Sequence, residues 1–243
     1  MEYLHVWTIF IIFFQTCIAV SICWLTLDCQ LSPRHGEYPE LTLMKMLYFF
    51  DPEACHRVVF YNVSRVEGRT VQTTIIWPKK NAVAAKYRRL VQYSGSFHVI
   101  WLLLAILNVT LQQKSYGFYC ALLPCSGVGA ALLLTDLVYT AMFLGDLQYT
   151  GTEEAILSYI GAVTNASTIF PSPRGSPPRP PQLGVSDTSW ASLLMAYCCC
   201  RGVALWVVNF WVIKDNYFYG LACHRRILAE KAVLRRNARA VGL

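Results

Sequence analysis

Two ionisable side chains lie deep inside apolar runs of this chain, Asp136 and Arg201. Arg201 is the only formal charge between Trp190 and Ile213. A charge at the middle of a membrane span costs about 2.5–3.5 kcal/mol on insertion scales, so a counter-charge is expected. Asp136, within Gly117–Gly145, is the one other charge placed that deep. The two are predicted to meet as an intramembrane pair. Three roles stay open: a structural pair that selects helix neighbours, a wet Asp136 near a span end, or a path for protons or ions. Asn209 and His98 are polar groups positioned to add hydrogen bonds.

Other chemistry is sparse. The five histidines, His5, His35, His56, His98 and His224, show no ligand spacing. Cys198, Cys199 and Cys200 are contiguous, so on a helix they fan out by about 100° each and do not converge on one metal. No catalytic, cofactor-binding or metal residue is assigned, and no enzyme activity is expected. Gly127-x-Gly129 follows no strand and reads as a helix contact. Of the ten cysteines most sit in apolar segments and act as small hydrophobes. Cys29 and Cys55 share a polar loop and form a disulfide there if that loop is extracytoplasmic. Cys223, just beyond the last span, is either an acylation site or an ordinary thiol.

The elements that must position these groups are membrane helices. The chain is 55% hydrophobic and 14% charged, well below the roughly 25% charge of soluble domains. Leu4–Leu27 is the first span; Glu2 and the absence of a basic n-region favour it over a cleaved signal. Residues 28–92 form a large polar loop. Within it Leu41–Phe50 is too short to span and reads as a surface helix. Val58–Val66 and Arg69–Trp77, rich in β-branched and aromatic residues around Glu67-Gly68, read as a β-hairpin. Asn81 caps a helix from Ala82 that runs into span two, Tyr93–Leu111. Span three is Gly117–Gly145, with Pro124 as a kink. Residues 146–189 form a second loop, with a surface helix in Ala155–Phe170 and a linker of six prolines at Pro171–Pro181. Span four is Trp190–Ile213, and residues 214–243 are a basic tail. The expected fold is thus all-α membrane: a four-transmembrane-helix bundle with a β-hairpin in the first large loop.

Four spans place both termini on one side. The tail carries seven of the 21 basic residues, which argues that this side is cytoplasmic. Sequons at Asn62 and Asn165 fall in the two loops that then face outward, marking possible glycosylation. Lys79, Lys80, Lys86, Arg88 and Arg89 crowd the entry to span two and pull the other way, so the inverted orientation stays open. Arg174-x-x-Pro177-x-x-Pro180 is a linker or a proline-rich ligand. The tail, with Arg225, Arg226, Lys231, Arg235, Arg236 and Arg239, reads as a basic amphipathic helix facing anionic lipid, or as a solvated topology signal. Nucleic-acid signatures are lacking, so the partners expected are the bilayer and other membrane proteins.

The run Cys200-Arg201-Gly202-Val203-Ala204-Leu205-Trp206-Val207-Val208-Asn209 resembles the last span of a group of uncharacterised four-pass membrane proteins of insects, themselves distantly similar to lysosome-associated four-span proteins. Tyrosine-based sorting motifs of the lysosomal group are missing from this tail. The first loop is similar to that of claudin-like tetraspans, without their Trp-Gly-Leu-Trp region or close cysteine pair. The resemblance implies a plasma or endolysosomal membrane and no particular activity. The function expected is a multi-pass, non-enzymatic scaffold or accessory subunit, with a small transporter or channel component using Asp136 and Arg201 as the alternative.

Overall fold

A computed structural model describes residues 2–33, 39–55, 59–66, 69–76, 80–111, 114, 116–163, 188–200 and 202–240. Its helices are α1 (Glu2–Leu27), α2 (Pro39–Tyr48), α3 (Pro52–Cys55), α4 (Ala82–Leu111), α5 (Leu123–Asp146), α6 (Glu153–Val163), α7 (Trp190–Cys199) and α8 (Gly202–Ala240). Four stretches are long and apolar enough to cross a membrane: Val6–Leu27, Ala82–Leu111, Phe118–Tyr149 and Trp190–Asn237. Outward-facing Trp7, Phe10, Leu103, Leu134 and Val203 are all more than half exposed, as suits contact with lipid tails rather than water. The protein is an integral, multi-pass membrane protein.

The fold class differs from the sequence expectation. The framework is all-helical, 89% helix, and no strand belongs to it. The helix bundle with a hairpin layer is therefore corrected to an all-helical membrane fold. The segments β1 (Val59–Val66) and β2 (Arg69–Ile76) lie antiparallel, Val59 opposite Ile76 and Val66 opposite Arg69, but pair only with each other. A lone two-stranded ribbon is marginal in water without a third strand or a helix to lie on, so strand propensity there does not build a layer of the fold.

Other boundaries also shift. Span two is the C-terminal part of a 30-residue helix starting at Ala82, where the Asn81 side chain accepts from the Ala84 N–H at 3.2 Å as an N-cap. Pro124 does not act alone as a kink: a π-helical turn, Phe118–Leu122, precedes it, closed by the Leu123 N–H on the Phe118 carbonyl. The surface helix expected in Ala155–Phe170 is α6, which starts earlier, at Glu153, and is described as far as Val163. Span four is described as α7, Trp190–Cys199, and the start of α8 from Gly202, with Arg201 between them outside the described residues. The tail is no separate helix either, because α8 runs unbroken for 39 residues, about 58 Å at 1.5 Å each.

The chain forms two compact units. The first comprises Met1–Ser21, Tyr93–Tyr139 and Cys198–Leu243. Its core is Ile12, Trp101, Ala105 and Leu132, with Leu102, Cys125, Val128 and Ile213 packed around them. Helices approach closely at two glycines. A Cβ on Gly129 would lie 2.8 Å from Ile213 Cδ1 and 3.0 Å from Trp101 Nε1, and one on Gly220 would overlap Leu122. The second comprises Ile22–Gln92 and Thr140–Tyr197, where α2 packs on α6 through buried residues such as Leu47, Ile156 and Ile160.

Candidate functional site

In the first unit, polar side chains on apolar helices satisfy one another. Gln15 of α1 and Asn209 of α8 exchange two amide hydrogen bonds, Gln15 Nε2 to Asn209 Oδ1 at 2.8 Å and Asn209 Nδ2 to Gln15 Oε1 at 2.9 Å. Both residues are buried, at 3% and 1% exposure. Next to Gln15 on α1, Thr16 donates to its own helix at Ile12 O, 2.8 Å, and to His98 O of α4, 3.2 Å. Two turns along α8, Asn216 donates to the Thr8 hydroxyl at 2.8 Å. Trp206 Nε1 donates to Leu133 O of α5 at 3.2 Å. Each polar atom would cost several kcal/mol if left alone in hydrocarbon, so these pairs fix which helices meet and in what register.

Asp136 is buried in α5, at 5% exposure; Arg201 lies outside the described residues. Beside the small residues of unit one is a cavity of about 20 Å³, lined by Thr8, Trp101, Asn108, Ser126 and Asn216 among others. That is room for about one water.

In the second unit the centre is a guanidinium. Arg88, in the first turns of α4, donates through Nη1 to Thr26 O and through Nη2 to Leu27 O at 3.2 Å. These are the last carbonyls of α1, which have no partners inside the helix. A cation there also meets the negative end of the helix dipole. The same Nη1 lies 3.0 Å from Cys55 Sγ and 3.5 Å from Cys29 Sγ. These two cysteines are joined as a disulfide, Cα atoms 5.5 Å apart. Helix α1 ends in a Schellman turn: the Gln30 N–H reaches Leu25 O at 3.0 Å, and Cys29 takes the left-handed position at φ 58°, normally a glycine's. Asp51 braces the same region, accepting from the N–H groups of Asn81 at 3.1 Å and Glu53 at 3.2 Å.

A second buried cluster joins α2, α4, α5, α6 and α7. Asp146, 6% exposed, accepts from Tyr87 at 2.6 Å and Tyr159 at 3.3 Å. The Tyr48 and Ser192 hydroxyls are 2.6 Å apart, and Ser192 lies 3.0 Å from the Thr150 hydroxyl. Thr188 donates to Thr150 O at 2.6 Å. Tyr87 stacks on Phe143, centroids 4.6 Å apart, and Tyr48 meets both edge-on. Burial, then the nearby Asp146 carboxylate, pushes Tyr159 up to about 12; burial pushes Tyr48 higher.

Of the remaining residues singled out by sequence, Asn62 lies in β1, and Asn165 and the proline linker fall outside the described residues. Cys223 is half-buried. Arg225, Arg226, Lys231, Arg235, Arg236 and Arg239 are all exposed on α8. Sequence reasoning missed Gln15 as a partner for Asn209, although it is the single amide in the apolar run Val6–Val20. It also counted Arg88 among solvated charges; the polar acceptors that hold it come from segments more than thirty residues away in sequence. No protein-family model, curated protein or solved structure matches this chain.

Proposed function

We propose that the protein is a non-enzymatic membrane scaffold or accessory subunit that associates laterally with other membrane proteins. The observation that carries this reading is the reciprocal Gln15–Asn209 pair. A conduction path needs polar groups that exchange partners with a passing solute; here the two buried amides bond each other in both directions and tie α1 to α8. The one-water cavity beside Trp101 is likewise far too small for a solute path. Among the described residues no three His, Cys, Asp or Glu side chains converge.

Orientation follows from redox chemistry. The Cys29–Cys55 disulfide supports an extracytoplasmic first loop, because such bonds persist on the oxidising side of a membrane. Termini are then cytoplasmic, Asn62 and Asn165 are open to glycosylation, and the plasma or an endolysosomal membrane is the site. Arg88, once a charge against this orientation, is committed to α1 and the disulfide and carries less weight as a solvated topology signal.

The buried Asp136 favours the transporter reading as the second one. Reconstitution into liposomes separates the two. The scaffold reading expects no ion or proton flux above protein-free vesicles, and expects Asp136→Asn to lower folded yield. A flux abolished by Asp136→Asn at unchanged yield would replace it. Glycosylation mapping at Asn62 and Asn165, with protease access to the tail, tests the orientation; cleavage of the tail in sealed, right-side-out cells would reverse it.

A further inference from the structure

Asn108, Ser126 and Asn216 are polar side chains carried by three apolar helices, α4, α5 and α8. All three line the cavity of about 20 Å³ in the first unit, as does Thr8 of α1. Asn216 and Thr8 are buried, at 9% and 8% exposure. Asn216 donates through Nδ2 to the Thr8 hydroxyl at 2.8 Å and to Val212 O at 2.7 Å. Among the described residues nothing donates to its Oδ1, and the half-buried Asn108 amide and Ser126 hydroxyl have no hydrogen-bond partner. Unmatched polar atoms are costly among hydrocarbon, and three helices bring theirs to one cavity.

The chemistry of the lining selects the occupant. No residue around the cavity is charged, so it does not suit an ion, which needs several carboxylate or carbonyl oxygens. A lipid methyl group would suit Ile12, Ala105 and Ile213 on the apolar wall but would leave the amides unmatched. A water suits both size and polarity, since admitting one takes about 10–15 Å³ and about two to four polar partners. It can donate to Asn216 Oδ1 and accept from the Asn108 amide N–H, with the Ser126 hydroxyl in either role. A route in lies close by. Asn216 follows Lys214, whose Nζ sits 3.9 Å over the Trp211 ring, an arrangement suited to a membrane interface.

We propose that this cavity is a water site: one water, held by Asn108, Ser126 and Asn216 Oδ1, ties α4, α5 and α8 together where Thr8 already joins α1 to α8. The site goes beyond the scaffold reading. It adds to the direct Gln15–Asn209 pair a second polar junction, bridged by solvent.

The test reads nuclear Overhauser contacts between water and the side-chain amides of Asn and Gln, nitrogen-15-labelled, in the full-length protein in lipid nanodiscs. Asn108 and Asn216 should each show a water cross-peak of opposite sign in laboratory-frame and rotating-frame experiments, as a water held in place gives. Gln15 and Asn209, which bond each other and do not line the cavity, should show none. Ser126→Val, which puts two methyl groups in place of the hydroxyl, should abolish the Asn216 peak, and so, separately, should Asn108→Leu. The Gln15 and Asn209 amide shifts should stay in place, marking an intact bundle. Absence of the wild-type peaks overturns the proposal. So do peaks of like sign in the two experiments, the mark of interfacial water in rapid exchange. Cross-peaks from acyl-chain protons at Asn108 or Asn216 overturn it by making lipid the occupant. An Asn216 peak that survives both substitutions overturns it as well, because the water then bridges nothing. The wild-type peaks are read before any substitution, so the proposal can fail even where a variant does not fold.

Discussion

The Gln15–Asn209 pair permits a test with a magnitude. Gln15→Leu keeps the side-chain size and removes both bonds, of 2.8 and 2.9 Å, leaving the Asn209 amide buried with its donor and acceptor unmatched. Interhelical polar contacts in membranes measure about 0.6 kcal/mol on average and about 1.7 at most, so two of them couple by about 1–3 kcal/mol. An unsatisfied buried group adds about 1–3 kcal/mol to either single change. Gln15→Leu and Asn209→Leu should each destabilise by about 2–3 kcal/mol, while the double change costs less than their sum by about 1–3. Reversible unfolding in bicelles, followed as a double-mutant cycle, reads the coupling directly. Additivity within about 0.5 kcal/mol would show that the two amides do not hold α1 to α8, and the argument for a closed interior would go with it.

Arg88→Gln should cost on the order of 2–3 kcal/mol, the scale of hydrogen bonds to a charged group, and speed reduction of Cys29–Cys55 by dithiothreitol; Arg88→Lys should recover only part, lacking the fork that reaches both carbonyls. Replacing Cys29 and Cys55 by Ser should cost about 3.5 kcal/mol by loop-closure entropy for a separation of 26 residues, measured by thermal unfolding in detergent. Gly129→Ala, pressed against Ile213 and Trp101, should cost about 1–3 kcal/mol as overpacking, read as a lower midpoint of the same melt. Tyr159 has its folded-state proton affinity raised, from 10.0 to about 12. Its neutral form is the one stabilised, so its contribution is complete below pH 10 and is lost as pH rises to about 12. Tyr159→Phe should flatten that alkaline limb, as melts between pH 9 and 12 will show.

Much of the membrane architecture is legible in the sequence because apolar length is a one-dimensional property. The run Val6–Val20 announces a span whatever its neighbours are. Partners are not legible in that way. Gln15 and Asn209 are 194 positions apart, and nothing local in either run points to the other. Arg88 shows the same limit: in sequence it stands among lysines and arginines, and only the fold brings the carbonyls of Thr26 and Leu27 to it. Asp146 reads as the first residue of a loop, yet two tyrosines from α4 and α6 enclose it. At 58–77 valine and threonine favour extended backbone, but that preference adds no layer to a framework that is all-helical.

The four acceptors around Arg88 carry a consequence for the order in which this chain is made. Thr26, Leu27, Cys29 and Cys55 all emerge from the ribosome before Arg88 does. At about 5–20 residues per second the interval from Cys55 to Arg88 is a few seconds. On the proposed orientation, the first loop already lies on the oxidising side during that interval, before the second span is made. A chain that oxidises in that interval presents the arriving guanidinium with carbonyls and sulfurs already gathered; one that does not offers only the frayed end of α1. On that orientation a disulfide formed late is felt at Arg88, which lies against both sulfurs.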